Sequence, residues 1–179
     1  MLMLGFIFGS YMELRRLQKT DVDAIEGLVA LLQDVIDHGA SVGFLATDTT
    51  AMLASYWRQV LDVLGGGLAL WVAEEGGQII GSVQLAPCQR SNGRHRGDLQ
   101  KLMVLESARG KRIATRLLQE AEARARELGL TLLVLDTHSG SPAESLYRRQ
   151  GWEQAGSIPD YAGVPDGTLI TTTYYYKKL

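Results

Sequence analysis

Cysteine is almost missing from this chain. Cys88 is the only one in 179 residues, which excludes an intramolecular disulfide and suits a reducing, cytoplasmic compartment. At the end of an apolar run, Cys88 reads as a buried, inert thiol. No grouping of Cys, His, Asp and Glu has ligand spacing, so no metal is expected. Basic excess is missing too: Lys and Arg number 18 against 20 Asp and Glu, a net charge of −2. A dedicated nucleic-acid binder usually carries a basic face, so nucleic acid is not expected as a partner. Long apolar runs are also lacking. The opening MLMLGFIFGSYM falls short of the roughly 20 apolar residues that span a bilayer, and it has no basic flank of a signal peptide. Neither GxGxxG nor GxxxxGK[ST] occurs, which removes the main support for dinucleotide and P-loop sites.

What is present suits one soluble domain. Hydrophobic residues make up 46% and charged residues 21%, and the length suffices to bury a core. Met12 makes a plausible start, so residues 1–11 read as an extension or a segment tucked onto the core or a partner, and residues 12–179 as a single domain. Glu13–Gln18 is predicted as a strand. A helix capped by Thr20 or Asp21 should carry Val22, Ile25, Leu28, Val29, Leu32, Val35 and Ile36 on one stripe and stop at Gly39. An irregular segment, His38–Thr47, precedes a helix over about Thr50–Leu64, ended by Gly65–Gly67. Leu68–Glu74 and Gln78–Ala86 flank a Gly76–Gly77 turn, a hairpin signal, and Leu99–Leu105 extends the antiparallel sheet.

The next helix shows an apolar stripe of Ile113, Leu117, Leu118, Ala121, Ala125 and Leu128, with Glu120–Arg124 and Glu122–Arg126 as i,i+4 pairs. Leu130–Leu135 is apolar nearly throughout, as in a strand covered on both faces. Ser141, Pro142 and Glu144 form a full helix-start signal with a capping box. A strand near Trp152–Gly156, a turn-rich IPDYAGVPDG and a last strand at Leu169–Lys177 complete the chain.

Ser107–Thr115 (SARGKRIAT) is the first chemical signal. A helix N-terminus presents unpaired N–H groups and partial positive charge, and Arg109, Lys111 and Arg112 add formal charge there. Taken alone, the same turn reads as a solvated basic loop. The order of elements shifts the balance: hairpin, third antiparallel strand, basic turn, helix, strand, then LYxxxGW resembles the GNAT acetyltransferase superfamily. The superfamily's pyrophosphate motif Q/R-x-x-G-x-G/A falls on Arg109, Gly110, Lys111, Arg112, Ile113 and Ala114, with Arg112 in place of the middle glycine. Arg112 is expected to keep helical angles and turn its side chain outward. The later pattern N-x-x-A-x-x-L-Y-x-x-x-G-F/W falls on Gly140 to Tyr147 and Gly151–Trp152, with Gly140 where the asparagine stands. DHGASVGF (Asp37–Phe44), LQKLMVLESARG (Leu99–Gly110), LDT (Leu135–Thr137), GSPAESLY (Gly140–Tyr147) and PDGTL (Pro165–Leu169) are similar to the tabtoxin-resistance acetyltransferases, which inactivate a small amino-acid-like toxin.

The resemblance implies an α/β (α+β) fold with a mixed, mostly antiparallel central sheet and helices on both faces. It implies acetyl-CoA as cofactor, a small-molecule amine as acceptor, and direct transfer. It also implies that main-chain groups of Leu102, Met103 and Val104 hold the pantetheine and the thioester carbonyl, and that Arg109 to Ala114, with Thr115, hold the phosphates. Tyr147 and Asp136 match the family's catalytic pair. A tyrosine of ordinary pKa, about 10, stays protonated at neutral pH and can protonate a departing thiolate; the alternative is a packing tyrosine. Asp136 is open between a base acting through water, a group orienting the acceptor ammonium, and a cap for the next helix. His38, Trp71 and Gln84 are candidates on the acceptor side. His138 reads more readily as a loop histidine than a base, and Arg90–Gly97 as a solvated turn. A monomer or homodimer is expected. Two other classes stay open: a non-catalytic acyl-CoA-binding subunit, and a basic-turn nucleic-acid binder.

Overall fold

The structure is a computed structural model that describes residues 11–179, so residues 1–10 of the expected extension lie outside the described residues. Strand β1 (Glu13–Arg16) is followed by helices α1 (Ala24–Asp37) and α2 (Thr50–Val63), then strands β2 (Ala69–Glu75), β3 (Gln78–Pro87) and β4 (Arg96–Val104). Helix α3 (Ile113–Glu127), strand β5 (Leu132–His138), helix α4 (Pro142–Arg149) and strands β6 (Glu153–Gly163) and β7 (Leu169–Lys178) complete the order. The seven strands form one sheet in the order β1-β2-β3-β4-β5-β7-β6, antiparallel except for β4–β5. This is the mixed, mostly antiparallel sheet expected. Gly81 and Gln84 of β3 project to opposite faces; α3 lies against Gly81 through Ile113 and Leu117, and α2 meets Gln84 through Tyr56.

Local chemistry moved several boundaries. Helix α1 begins at Ala24 because the Asp21 carboxylate accepts the Gln18 N–H at 2.7 Å, closing a turn where a cap was expected. Val22 therefore sits outside the stripe and is 63% exposed. Leu128 lies past the end of α3 and is likewise exposed, while Ile113, Leu117, Leu118, Ala121 and Ala125 are buried. Arg124 pairs with Glu127 at 3.0 Å, not with Glu120. At α4 the Ser141 side chain makes no cap; Glu144 accepts the Gly140 N–H at 2.8 Å and the Tyr175 hydroxyl at 2.9 Å. Cys88 is half-buried, beside Gly93 and Arg96.

Strand β6 is the largest difference. It runs through Pro159 to Gly163, where a short strand and a turn were expected. An edge strand tolerates proline because its outward N–H needs no ladder partner. The Ile158–Ala162 bulge and the left-handed Asp160 (φ 51°) keep that edge irregular.

One buried polar network fastens the far half of the sheet. Glu122 of α3, 5% exposed, accepts the Trp152 indole N–H at 3.1 Å and the Lys177 ammonium at 2.7 Å. Lys177 also donates to the Gln150 carbonyl at 2.7 Å, so α3, β7 and the end of α4 share one ion pair. Tyr147 packs beside this network, its ring 5.9 Å from Trp152 and 6.0 Å from Tyr175.

Candidate active site

The site begins where two strands part. Strands β4 and β5 pair only at Arg96–Asp98 with Leu132–Val134. Beyond that, β5 continues to pair with β7, and the edge of β4 from Leu99 to Val104 that faces β5 has no ladder partner. A parallel pair that opens toward its carboxyl ends leaves a cleft with bare main-chain donors and acceptors along one wall. Leu102, Met103 and Val104 lie on that wall.

The same end of β4 leads through a short turn (Glu106–Ala108) into α3. Among the described residues, the N–H groups of Gly110, Lys111, Arg112, Ile113, Ala114 and Thr115 have no hydrogen-bond partner. Six consecutive free donors at a helix start make an anion nest. Arg112 differs from expectation: its backbone is left-handed (φ 60°, ψ 20°), a conformation that glycine adopts more readily than a residue with a Cβ. Gly110 beside it is also left-handed, at φ 80°. Helical angles at Arg112 would turn the N–H groups away from a common centre. Of the three cations, Lys111 pairs with Glu75 at 3.1 Å and Arg109 with Glu106, which leaves Arg112 unpaired among the described residues.

The other face of the cleft is walled by the segment after α1. Ser41 donates to the Gly163 carbonyl at 3.0 Å, and the Ala46 N–H donates to the Pro165 carbonyl at 2.8 Å. Lys101 closes the third side. A bulge in β4, between the Ser82–Met103 and Gln84–Gln100 pairs, gives Lys101 a left-handed backbone (φ 50°), and Ser82 holds its displaced carbonyl at 2.9 Å. The Lys101 ammonium donates to the Val42 carbonyl at 2.8 Å and lies 5.3 Å and 5.9 Å from the ring centres of Tyr56 and Phe44. Gln84, buried behind, donates to the Tyr56 hydroxyl at 3.2 Å. Tyr161 stacks edge-on against Tyr174, the β7 residue opposite Asp136.

Charge in the cleft is strongly coupled to burial. Burial pushes the Lys101 ammonium below the ordinary lysine value, against the pull of Asp136. Asp136 is open to the cleft by surface area, yet the surrounding walls desolvate it and lift its carboxyl above the ordinary range, with Lys101 pulling it back. Desolvation raises Asp98 in the same way. Tyr147 is 6% exposed, and burial first, then the Asp136 charge, raises its hydroxyl well above ordinary tyrosine. That hydroxyl stays protonated across the working pH range. It has no hydrogen-bond partner among the described residues and is not fully enclosed, so it is free to donate.

Asp136 and the β4 wall thus border one cleft, the Arg109–Thr115 turn stands at its end, and Tyr147 lies within range of the Asp136 charge. Gln84 belongs to the wall it forms with Tyr56 and Lys101. Trp71 does not: it pairs with Val83 on the side of the sheet that α3 covers, and it is core. Its neighbours on both sheet faces are covered, so a buried tryptophan there needs no ligand. His38 ends α1 with its ring nitrogen on the Asp34 carbonyl at 2.7 Å. Sequence reasoning missed Lys101, Asp98, Tyr56, Phe44, Tyr161 and Tyr174. The Lys101 signal was available, since it is the one charge in the mostly apolar strand segment LQKLMV.

A sequence model of the acetyltransferase (GNAT) family matches residues 44–152. N-acetyltransferase family 8 member 2 of Rattus norvegicus is 34% identical over 115 residues, 63% of this chain and 50% of that protein. The chain spans about half the length of the rat relatives of this type that it matches. The aminoalkylphosphonate N-acetyltransferase of Salmonella typhimurium is 28% identical over 147 residues, 80% of this chain and 86% of that protein. Among solved structures, a ribosomal-protein-alanine N-acetyltransferase from Brucella melitensis superposes with a TM-score of 0.76 at 25% identity, covering 93% of this chain and 99% of that one. An acetyltransferase from Salmonella typhimurium solved with its cofactor acetyl-CoA has a TM-score of 0.74 at 22% identity, covering 95% of each chain. No helix among the described residues is long and apolar enough to cross a membrane.

Proposed function

The chain belongs to the acetyltransferase (GNAT) family, and from that premise we propose that it transfers an acetyl group from acetyl-CoA directly to the amine of a small, amino-acid-like acceptor. The observation that carries this reading is the parted β4–β5 pair, with six free N–H groups at its end and Asp136 and Tyr147 beside it. The residues fit the cofactor. The nest at Gly110–Thr115, with Arg112 unpaired among the described residues, suits a pyrophosphate, and the bare β4 edge suits a chain of amide groups. When bound, acetyl-CoA supplies the acetyl group as a thioester.

The protein's own groups then have two proton tasks. Asp136, raised above ordinary carboxylates, takes a proton from the acceptor ammonium, directly or through a water, so that the amine can attack. The new C–N bond forms as the C–S bond breaks, Tyr147 Oη gives its proton to the departing sulfur, and the acylated nitrogen sheds its second proton to solvent, from which the tyrosinate is reprotonated. Burial makes the Tyr147 hydroxyl a reluctant acid in the resting site. It therefore donates only as thiolate charge develops beside it, a demand that arises late in the reaction. Main-chain groups of Leu102, Met103 and Val104 orient the donor.

The aminoalkylphosphonate N-acetyltransferase relative takes, by its name, an acceptor that joins an amine to an acid group. That supports an acceptor of similar build here, and the segment likeness to tabtoxin-resistance enzymes extends the range to toxin-like amino acids. A cytoplasmic monomer or homodimer suits such work. The test is thiol release from acetyl-CoA over a panel of small amines. Tyr147→Phe is expected to lower kcat by about 10²–10⁴ with the chemical step limiting. Full kcat in that variant would remove Tyr147 from the reaction. Acetyl-CoA binding without transfer to any amine would favour the non-catalytic subunit.

A further inference from the structure

Lys101 is expensive where it stands. Its side chain is largely removed from water, its backbone is left-handed without being glycine, and it has no carboxylate within salt-bridge distance among the described residues. A desolvated ammonium needs its three N–H donors satisfied. One goes to the Val42 carbonyl at 2.8 Å. The Tyr56 and Phe44 rings offer their faces at 5.3 Å and 5.9 Å, which favours the charge without replacing an oxygen acceptor. Donor capacity therefore remains, in a side chain that the bulge aims at the acceptor wall rather than at the α3 core.

The surroundings give that capacity a direction. Asp98 stands at the last β4–β5 pair, opposite Val134, and Asp136 lies two residues on along the same face of β5, so two carboxylates sit where the strands part, while Lys101 places one ammonium at the loop side. An acceptor's cationic nitrogen is drawn toward the carboxylates. It cannot use the Tyr56 and Phe44 faces, because Lys101 already occupies them. A molecule with an ammonium at one end and an oxyanion a few bonds away matches both poles at once.

We propose that Lys101 is the specificity-determining residue of the acceptor site, its ammonium receiving an oxyanion, a carboxylate or phosphonate, carried by the same small molecule whose amine is acetylated. This rests on the proposed transferase function. Lys101 thus serves twice: it ties the 38–47 segment over the cleft through Val42 and selects acidic acceptors over neutral amines.

The experiment compares matched acceptor pairs by thiol release from acetyl-CoA: free amino acids and aminoalkylphosphonates against the corresponding amino-acid carboxamides. The wild-type protein is expected to favour the acidic member by about tenfold or more in kcat/KM, the scale of a charge-assisted hydrogen bond. Lys101→Met loses the Val42 tie and so is expected to lower both members, but to fall about tenfold further on the acids, which erases the preference. Lys101→Arg keeps charge and preference. Ser41→Ala, which loosens the same segment at Gly163 without touching charge, should lower both members alike. Equal use of acids and amides by the wild type overturns the proposal and leaves the transferase standing. A Lys101→Met variant that loses both members equally does the same, reducing Lys101 to a tie for the segment. Failure to acetylate either member of every pair overturns the transferase reading itself, and this inference with it.

Discussion

Replacing Arg112 by glycine should make the protein more stable, although it deletes a charged side chain from a basic turn. Arg112 has φ 60° and ψ 20°, a conformation that costs a residue with a Cβ roughly 1–2 kcal/mol. Glycine escapes that cost but gains freedom in the unfolded chain, worth about 0.5–1 kcal/mol in the opposite direction. The net gain is about 0.5–1 kcal/mol. For a domain of this size, about 2–4 °C accompanies each kcal/mol, so Tm should rise by about 1–4 °C. Arg112→Ala is the control, because it removes the same guanidinium and keeps the strain. The alanine variant should melt below the glycine variant, and both should bind acetyl-CoA more weakly than the wild type through the lost cation. Chemical denaturation with unchanged slopes supplies the free energies. If alanine equals or exceeds glycine, the left-handed turn is not what the sequence maintains at Arg112, and the nest argument loses its backbone.

Three further outcomes follow. Glu122→Ala leaves the Trp152 indole unpartnered and the Lys177 ammonium with only the Gln150 carbonyl in a buried network, and should cost about 3–5 kcal/mol; an effect under about 1 kcal/mol in denaturant melts would mean the pair is already solvated. Gly81→Ala brings a methyl to 3.0 Å from the Met103 carbonyl and 3.1 Å from Ile113 and Leu117, and should cost about 1–3 kcal/mol while weakening acetyl-CoA binding, since β4 must shift; unchanged binding by calorimetry would contradict the coupling of packing to the cleft. Asp136→Asn tests the raised carboxyl: a group whose folded pKa lies above its unfolded value loses stability as pH rises through the folded pKa. Curves of Tm against pH for the wild type and the Asp136→Asn variant should therefore meet on the acid side and part as pH climbs, with the wild type lower at neutral pH. Parting in the other direction would show the carboxylate to be stabilised, not desolvated.

Much of the frame was legible because it rests on local chemistry. The Gly76–Gly77 hairpin, the α3 stripe and the Gly65–Gly67 stop each follow from spacing within one element. What failed was decided across elements. Strand β6 passes through Pro159 only because β7 pairs on one side and solvent lies on the other, which no local pattern announces. The motif spacing marked the Arg109–Ala114 turn, but the left-handed state of Arg112 reflects the nest as a whole. Tyr147 and Asp136 each stand inside a short local motif, whereas Lys101, Tyr56 and Phe44 meet across long sequence separations. Trp71 misled because a buried aromatic on a strand looks the same in sequence whichever face it takes.

The central claim is that the parted strands and the free N–H groups form an acetyl-CoA site. Thermal unfolding with and without acetyl-CoA, with ATP and NAD as controls, tests it most directly. At a ligand concentration 100-fold above Kd, binding should stabilise the protein by about 2.7 kcal/mol. That corresponds to a rise of about 5–11 °C in Tm, seen with acetyl-CoA and absent with both controls. No shift at saturating acetyl-CoA, or an equal shift with ATP, would contradict the account.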